Sequence, residues 1–246
     1  MPTQAGDPSP DELLDMVRKA IKHLVARDSH LLRMKAAERS ITHKLAEYLR
    51  CYLDDRFDLK LDDVPGISVD CEYNRYGDEA GTPKKLPLDG NLYVEGEPYY
   101  LANPDIIVHH RGDQAANWLV IEVKTFFNNR DAAVLLDKLK LVSYLGDPTG
   151  YYAGLFLDLG HPDKGDVLKE AKLITQKTLI EKGSDRVQLG GHYELAQDYY
   201  WQEGTKVVFT NTGGQAEFAA NSDKLAEKLM TRLESAFGFT PIFGTK

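Results

Sequence analysis

Two short apolar segments that carry ionisable residues constrain the fold of this chain most strongly. Residues 104–108, Pro-Asp-Ile-Ile-Val, place Asp105 at the head of one segment, and residues 118–124, Trp-Leu-Val-Ile-Glu-Val-Lys, place Glu122 and Lys124 near the end of the other. Side chains alternate between the two faces of a strand, so Glu122 and Lys124 are predicted to share one face. An Arg-Gly-Asp turn signal lies between the segments. The two strands are therefore predicted to form a hairpin that brings Asp105 beside Glu122.

This pair of converging carboxylates predicts a bound cation. Two carboxylates that close repel one another unless positive charge lies between them, and ligation by oxygen alone suits Mg²⁺ or Mn²⁺. Asp105 and Glu122 are therefore candidate metal ligands. Each residue also has an ordinary alternative. Asp105 can be a turn residue that follows Pro104, and Glu122 and Lys124 can belong to the solvated face of an edge strand.

The order and spacing of Pro104, Asp105, Glu122 and Lys124 on two apolar strands resemble the signature of the PD-(D/E)XK nuclease superfamily. The resemblance implies an α/β fold of the restriction-endonuclease-like type, whose core runs helix, three strands, helix, strand. It also implies a metal-dependent nuclease that hydrolyses phosphodiester bonds in nucleic acid.

The segments that flank the hairpin can supply the rest of that core. Residues 67–75 alternate between apolar and polar side chains and predict a strand. Residues 131–145 are rich in helix formers and predict a helix with one apolar stripe. That stripe comprises Leu135, Leu139 and Val142. Residues 151–159 form an apolar run short enough for a buried strand. With a helix around residues 31–53 in front, the core order is complete over about residues 31–159.

The whole chain, residues 1–246, is predicted to be a single domain in which helical N-terminal and mixed C-terminal extensions lie around the core. A capping-box pattern with Pro10 at the first helical position predicts a peripheral helix that begins near Pro10 and breaks at residues 28–29. A Gly- and Pro-rich stretch before Asp105 predicts an extended loop or β-excursion. The elements predicted beyond Gly160 are a helix over 166–182, a strand over 206–210 and an amphipathic helix over 222–237 with Leu225, Leu229, Leu233 and Ala236 along its stripe.

Glu38 interrupts an otherwise apolar helical stripe. The stripe comprises Met34, Glu38, Ile41, Leu45, Tyr48 and Tyr52. Burying a carboxylate without a partner costs several kcal/mol of folding free energy. Glu38 is therefore predicted to contact a cation or strong hydrogen-bond donors. Many members of the superfamily carry an acidic residue on this helix that joins the metal site, and Glu38 matches that position. The alternatives are a salt bridge to an Arg or Lys at the core edge, or a stripe rotated so that Glu38 lies at its margin.

The resemblance also implies a role for each candidate residue. Asp105 and Glu122, with the backbone carbonyl of Val123 as a third ligand, would hold Mg²⁺ or Mn²⁺. Lys124 would orient a water molecule or balance charge on the phosphate. Glu38 would hold a second metal or a metal-bound water. The type of nucleic acid, the position of cleavage and the number of metals do not follow from the sequence.

Two other functional hypotheses remain open from the sequence. One is a non-catalytic binding or interaction module built on the same fold. The other is an unrelated α/β protein with chance motifs, in which Glu38 and Glu122 would lie far apart. Glu72 could reach the site from the polar face of its strand. Other ionisable residues are predicted to be ordinary solvated or polar groups: Arg75, Lys85, His43, His109, His110, and Lys140 near Asp137.

The charge of the chain bears on its partners. The formal net charge of −8 counts against strong capture of long duplex DNA, so a protein partner, a homodimer groove or a small substrate is expected to assist a nuclease. The chain has two cysteines, begins without a basic-then-apolar signal and has no long apolar stretch, which together predict a cytoplasmic protein without a membrane association. No phosphate-binding G-x-x-x-x-G-K-[ST] loop is present.

Overall fold

The computed structural model describes residues 8–58, 67–73, 85–87, 99–101, 103–111, 117–128, 131–146, 149–175, 177–178, 199–202, 206–211, 214–219, 230–231, 234–235 and 237–242. The helices are α1 (Pro10–Arg33), α2 (Glu38–Phe57) and α3 (Asp131–Leu145). The strands are β1 (Ser68–Cys71), β2 (Lys85–Pro87), β3 (Tyr99–Leu101), β4 (Ile106–His109), β5 (Asn117–Thr125), β6 (Ala153–Leu159), β7 (Leu168–Thr175), β8 (Tyr199–Gln202), β9 (Lys206–Asn211), β10 (Gly214–Ala219) and β11 (Thr240–Pro241).

The fold is α/β, with one mixed six-stranded sheet between helices. The strand order is β1-β4-β5-β6-β7-β11. Strands β5 and β6 run parallel, and every other neighbouring pair is antiparallel. The predicted hairpin is confirmed, because Ile106 pairs with Ile121 and Val108 pairs with Leu119. Along the chain, α2 is followed by β1, β4 and β5, then by α3 and β6, with the short strands β2 and β3 between β1 and β4.

The two faces of the sheet build two hydrophobic clusters. Ile121 and Val123 of β5 point toward α1 and α2, and Val120 points toward α3. Strand β5 is the third of six strands and all nine of its residues are buried. The alternative of a solvated edge strand is therefore wrong. Because side chains alternate along β5, Glu122 and Lys124 share the α3 face with Val120.

Helix α1 begins as predicted. Ser9 and Glu12 form a capping box and Pro10 opens the helix. The predicted break at residues 28–29 is a kink rather than an end: Asp28 departs from helical geometry, accepts a hydrogen bond from Tyr48 Oη at 2.5 Å, and the helix continues to Arg33. The helix is also not peripheral, because it contributes several side chains to the main core. These are Leu13, Met16, Val17, Ala20, Ile21, Leu24 and Leu32.

Helix α2 begins later than the predicted start at residue 31. It starts at Glu38, after a reversal of the chain in which Lys35 adopts a φ of 51°. The predicted inward position of Met34 is therefore wrong, because Met34 precedes α2 and its side chain is 67% exposed. Ile41 and Leu45 are buried as predicted. The late start places Glu38 in the first turn of α2, where it can reach past the end of the sheet.

The C-terminal part differs most from the prediction. Residues 168–175 form strand β7 rather than part of a helix over 166–182. Backbone pairing on both sides of this segment, with β6 and β11, outweighs the helix propensity of its Lys, Glu, Ala and Leu residues. The predicted strand at 206–210 is confirmed as β9, which pairs with β8 and β10 in a separate three-stranded sheet. Of the predicted helix at 222–237, residues 230–231, 234–235 and 237 are helical, and its stripe of three leucines and Ala236 lies outside the described residues.

Two further features bear on the surroundings of α3. Strands β2 and β3 pair as an antiparallel ribbon, which confirms a β-excursion before Asp105, and β2 contacts α3. On the other side, Lys138 of α3 is fully buried and forms ion pairs with Glu170 of β7 and with Glu234. Lys172 completes this ion-pair network with Glu234 at 2.8 Å. Among the described helices, none combines the length and the apolar character that a membrane span requires.

Candidate active site

Glu122 and Lys124 are buried charged residues on the central strand β5. Their exposed fractions are 1% and 7%. Glu122 Oε2 lies 3.6 Å from Lys140 Nζ, whereas Glu122 Oε1 is buried without a hydrogen-bond partner among the described residues. Burial raises the pKa of Glu122 well above its usual range, and the nearby carboxylates of Asp137 and Asp105 add to the shift. An unpaired carboxylate oxygen at this depth is costly, so it requires a proton or a cation.

Asp105 is positioned by the hairpin. It precedes β4, and its Oδ2 accepts a hydrogen bond from the backbone N–H of Val123 at 2.7 Å. Burial raises the pKa of Asp105 to about 6 despite that bond, with further contributions from the carboxylates of Asp137 and Glu38. The carboxylate of Asp105 in turn raises the pKa of Glu122, so the two groups lie close enough to interact across the hairpin, as the sequence predicts.

Glu38 joins the site from the first turn of α2. Its Oε1 lies 3.2 Å from Lys124 Nζ, and its Oε2 accepts hydrogen bonds from Thr125 Oγ1 at 3.4 Å and Asn128 Nδ2 at 3.3 Å. The partner of Glu38 is thus a lysine, as one alternative anticipated, but that lysine is the predicted site residue Lys124. The structure therefore brings Glu38, Asp105, Glu122 and Lys124 together at one end of β5.

Two residues of α3 complete the cluster and were missed. Asp137 is 3% exposed; its Oδ2 lies 2.7 Å from Lys124 Nζ and its Oδ1 lies 3.0 Å from Lys140 Nζ. The prediction that Lys140 and Asp137 form an exposed helical pair is wrong. Helix α3 is apolar on most of its surface, so its periodicity does not define one inward face. Several buried residues of α3 follow helical spacing: Val134, Asp137, Lys138, Leu141 and Leu145. Two of them are charged, and charged residues within this stripe are the sequence feature that could have identified Asp137.

Lys124 is an ammonium group surrounded by acidic partners. Burial alone would lower its pKa, but the carboxylates of Asp137, Glu38 and Asp105 outweigh that effect and raise the pKa above its usual range. Lys124 therefore stays protonated throughout the neutral range. Its Nζ also lies 3.5 Å from the carbonyl oxygen of Val123, the predicted third metal ligand.

The described charges of the site do not balance. Glu38, Asp105, Glu122 and Asp137 supply four carboxylates, whereas Lys124 and Lys140 supply two ammonium groups. If all six groups are ionised, two negative charges remain without compensation, which equals the charge of one divalent cation. The donors are oxygens only, and Glu122 Oε1 has no described partner, so the chemistry of the site fits Mg²⁺ or Mn²⁺.

The arrangement is nevertheless not a ready-made cage for a metal. Among the described residues, no three His, Cys, Asp or Glu side chains are grouped as a metal ion requires. The ammonium groups of Lys124 and Lys140 lie between the carboxylates instead. Metal binding by this site would therefore involve a rearrangement of side chains around Glu122.

The remaining candidates have their described side-chain contacts outside the cluster. Glu72 directs its carboxylate to Arg39, with 2.6 Å between Oε1 and Nε. His109 is buried and lies 2.8 Å from Asp70 Oδ2, at the opposite end of β4 from Asp105. His43 is exposed on α2. Arg75 and the side chain of Lys85 lie outside the described residues.

The raised pKa of Asp105 predicts how the stability of the metal-free protein depends on pH. A carboxyl group with a pKa of about 6 in the folded state and about 3.8 when unfolded binds more protons when folded. The free energy of unfolding is therefore expected to fall as pH rises from about 4 to 7, by on the order of 3 kcal/mol from this group. Urea unfolding in EDTA at several pH values measures the effect. The Asp105→Asn variant is expected to lose that part of the slope, and equal slopes in both proteins would contradict the assignment.

Comparisons of this chain with protein-family models, with curated proteins and with solved structures find no match. The class of the protein is therefore defined by its own fold and site. It is an α/β protein with a mixed six-stranded sheet and a buried cluster of carboxylates and amines at the end of β5.

Proposed function

We propose that this chain is a metal-dependent nuclease of the PD-(D/E)XK type, which hydrolyses phosphodiester bonds in nucleic acid with Mg²⁺ or Mn²⁺. The observation that carries the proposal is the convergence of four carboxylates in one buried cluster, in which Glu122 Oε1 lacks a described partner. Carboxylates this close repel one another, and a bound divalent cation relieves that repulsion. The order α2, β1, β4, β5, α3, β6 supports a restriction-endonuclease-like core.

Each residue of the cluster has a proposed part in hydrolysis. Asp105, Glu122 and the Val123 carbonyl would hold the cation, with Glu38 beside them. A bound divalent metal supplies Lewis acidity toward a phosphate oxygen and lowers the pKa of a bound water. Lys124 stays protonated among its acidic partners, so its ammonium group is suited to stabilise the negative charge that grows on the phosphate.

The charge of the chain and the β2–β3 ribbon bear on how a substrate would be recognised. The net charge of −8 weakens long-range attraction of a polyanion, so recognition is proposed to depend on the metal, on a homodimer or on a protein partner. The ribbon β2–β3 contacts α3, the helix that carries Asp137 and Lys140, and is proposed to shape access to the site.

A cleavage panel tests the proposal. Purified protein is incubated with end-labelled single- and double-stranded DNA and RNA in Mg²⁺, in Mn²⁺ and in EDTA. At least one substrate is expected to be cut with metal and none in EDTA. The Glu72→Gln variant, which removes a carboxylate paired with Arg39 outside the cluster, is a matched control and is expected to cut like the wild type. Equal cleavage in EDTA would contradict a metal-dependent mechanism.

A second candidate function is a non-catalytic binding module on the same fold. The observation that favours it is the internal pairing of the carboxylates with Lys124 and Lys140, which supplies part of the neutralisation without a metal. This candidate predicts nucleic-acid or protein binding that is indifferent to EDTA and unaccompanied by cleavage. The same panel, read by gel shift as well as by product formation, separates the two functions.

A further inference from the structure

We infer that Asp137 is a positioning residue of this site, which holds the ammonium groups of Lys124 and Lys140 in place beside the carboxylates proposed to bind metal. The inference rests on the proposed function and adds a residue of α3 to a site otherwise assigned to α2 and the β4–β5 hairpin. Asp137 itself is assigned no contact with metal or substrate.

The contacts of Asp137 divide evenly between the two lysines. Oδ2 lies 2.7 Å from Lys124 Nζ, and Oδ1 lies 3.0 Å from Lys140 Nζ and accepts its hydrogen bond. The contact with Lys124 is an ion pair without the geometry of a directed hydrogen bond. The Asp137 side chain is 4% exposed, so solvent screens neither contact strongly. One buried carboxylate thus bridges two cations that come from different elements, β5 and α3.

Both lysines have a weaker second contact with the cluster. Lys124 lies 3.2 Å from Glu38, whose side chain is 18% exposed in the first turn of α2. Lys140 lies 3.6 Å from Glu122, beyond ordinary hydrogen-bond length. A lysine has a long flexible stem, so its ammonium group stays in one place only where strong contacts hold it. Without Asp137, both ammonium groups would be drawn toward Glu38 and Glu122.

This movement of the two ammonium groups would interfere with the proposed hydrolysis in two ways. Lys124 would lose the contact that places its ammonium group on the α3 side of β5. Lys140 would move onto Glu122, whose second oxygen Oε1 is the carboxylate atom without a described partner. The oxygens of Asp137 both already contact an ammonium group, so Asp137 is suited to hold the lysines rather than a metal.

Kinetics of Asp137→Asn test the inference, using an oligonucleotide that the wild-type protein cuts. A residue that orients a functional group typically contributes about 10–100-fold, so kcat is expected to fall by that factor with little change in KM. The rise in melting temperature with Mn²⁺ is expected to become smaller but to persist, because all the proposed metal ligands remain while Lys140 competes for Glu122. Asp137→Glu, which keeps the charge, is expected to recover part of kcat. Wild-type kcat in Asp137→Asn, or loss of the Mn²⁺ effect in that variant, would overturn the positioning role.

A matched control separates positioning from general loosening of α3. Glu234→Gln removes a carboxylate from the ion pair with Lys138, the neighbour of Asp137 on the same helix. This variant is expected to lose stability while its kcat stays within about twofold of the wild type. A fall in kcat equal to that of Asp137→Asn would show that any weakened ion pair on α3 lowers activity, and would overturn the specific role of Asp137.

An NMR measurement tests the same contacts without any cleavage. In ¹⁵N-lysine-labelled protein, the Lys124 ammonium group is expected to give a slowly exchanging signal, since the side chain is buried and its ammonium group lies between two carboxylates. The signal is expected to vanish in Asp137→Asn and to remain in Glu234→Gln. If no nucleic acid is cut, the proposed function fails, whereas an unchanged Lys124 signal in Asp137→Asn refutes the positioning contact itself.

Discussion

Replacing Asp105 by Asn is expected to abolish metal-dependent cleavage without weakening the metal-free fold. A divalent metal contributes several kcal/mol to such a reaction and about 1.4 kcal/mol corresponds to a factor of ten, so the expected loss is about 10³-fold or more. The fold is expected to tolerate the change because the pKa of Asp105 is raised to about 6, which means that its charged form is disfavoured where it lies. Single-turnover cleavage and calorimetry in EDTA measure the two effects.

Asp70→Asn is the matched control for that result. Asp70 lies on β1 and contacts His109 and Arg111, away from the cluster. Burial opposes its ionisation, but the hydrogen bonds from Arg111 and His109 outweigh burial and hold the pKa of Asp70 well below its usual range. Its charged form therefore stabilises the fold, and Asp70→Asn is expected to lower the melting temperature while cleavage persists. Undiminished cleavage by Asp105→Asn would reject the assigned site.

The predictions that are confirmed concern helices and strands that a single local sequence pattern specifies. The capping box at Ser9 and Glu12 fixed the start of α1, and the apolar runs around Asp105 and Glu122 predicted the β4–β5 hairpin. Residues 131–145 form α3 with the predicted bounds. In each case neighbouring residues supply the interactions that form the element, so no distant partner is needed to predict it.

The elements that were predicted wrongly depend on features outside their own local sequence pattern. Residues 168–175 contain good helix formers, but β6 and β11 offer backbone pairing on both sides, and that pairing is not visible in the local sequence. Met34 continues the helical spacing of Glu38 and Ile41, yet the reversal at Lys35 separates it from α2. A periodic pattern that spans two helices gives no sign of the break between them.

Part of the site followed from the sequence because its residues share a strand face or a hairpin. Glu122 and Lys124 follow from the period of a strand, and Glu38 from an interruption of an apolar stripe. Asp137 and Lys140 were missed because α3 is apolar around most of its surface, so its pattern does not single out their face as an inward one. Of the predicted stripe, Val142 is buried, and the side chains of Leu135 and Leu139 lie outside the described residues. The rule that identified Glu38, a charged residue within an apolar helical stripe, applies equally to Asp137.

Binding of a divalent cation by the cluster is the central claim, and stabilisation by Mn²⁺ tests it most directly. A ligand that binds only the folded state adds about 2.7 kcal/mol at a concentration of 100 times Kd. For a chain of this size that corresponds to a rise in melting temperature of about 5–10 °C. Glu122→Gln, which replaces a buried carboxylate by a neutral group of the same shape, is expected to lose most of the rise.

The decisive measurement is therefore the melting temperature of the wild type, Glu122→Gln and Glu72→Gln, titrated with Mn²⁺ to millimolar concentration after treatment with EDTA. The expected result is a rise for the wild type and for Glu72→Gln, whose carboxylate pairs with Arg39, and little or none for Glu122→Gln. A wild-type melting curve that does not move with Mn²⁺ would contradict the metal site and favour the binding module.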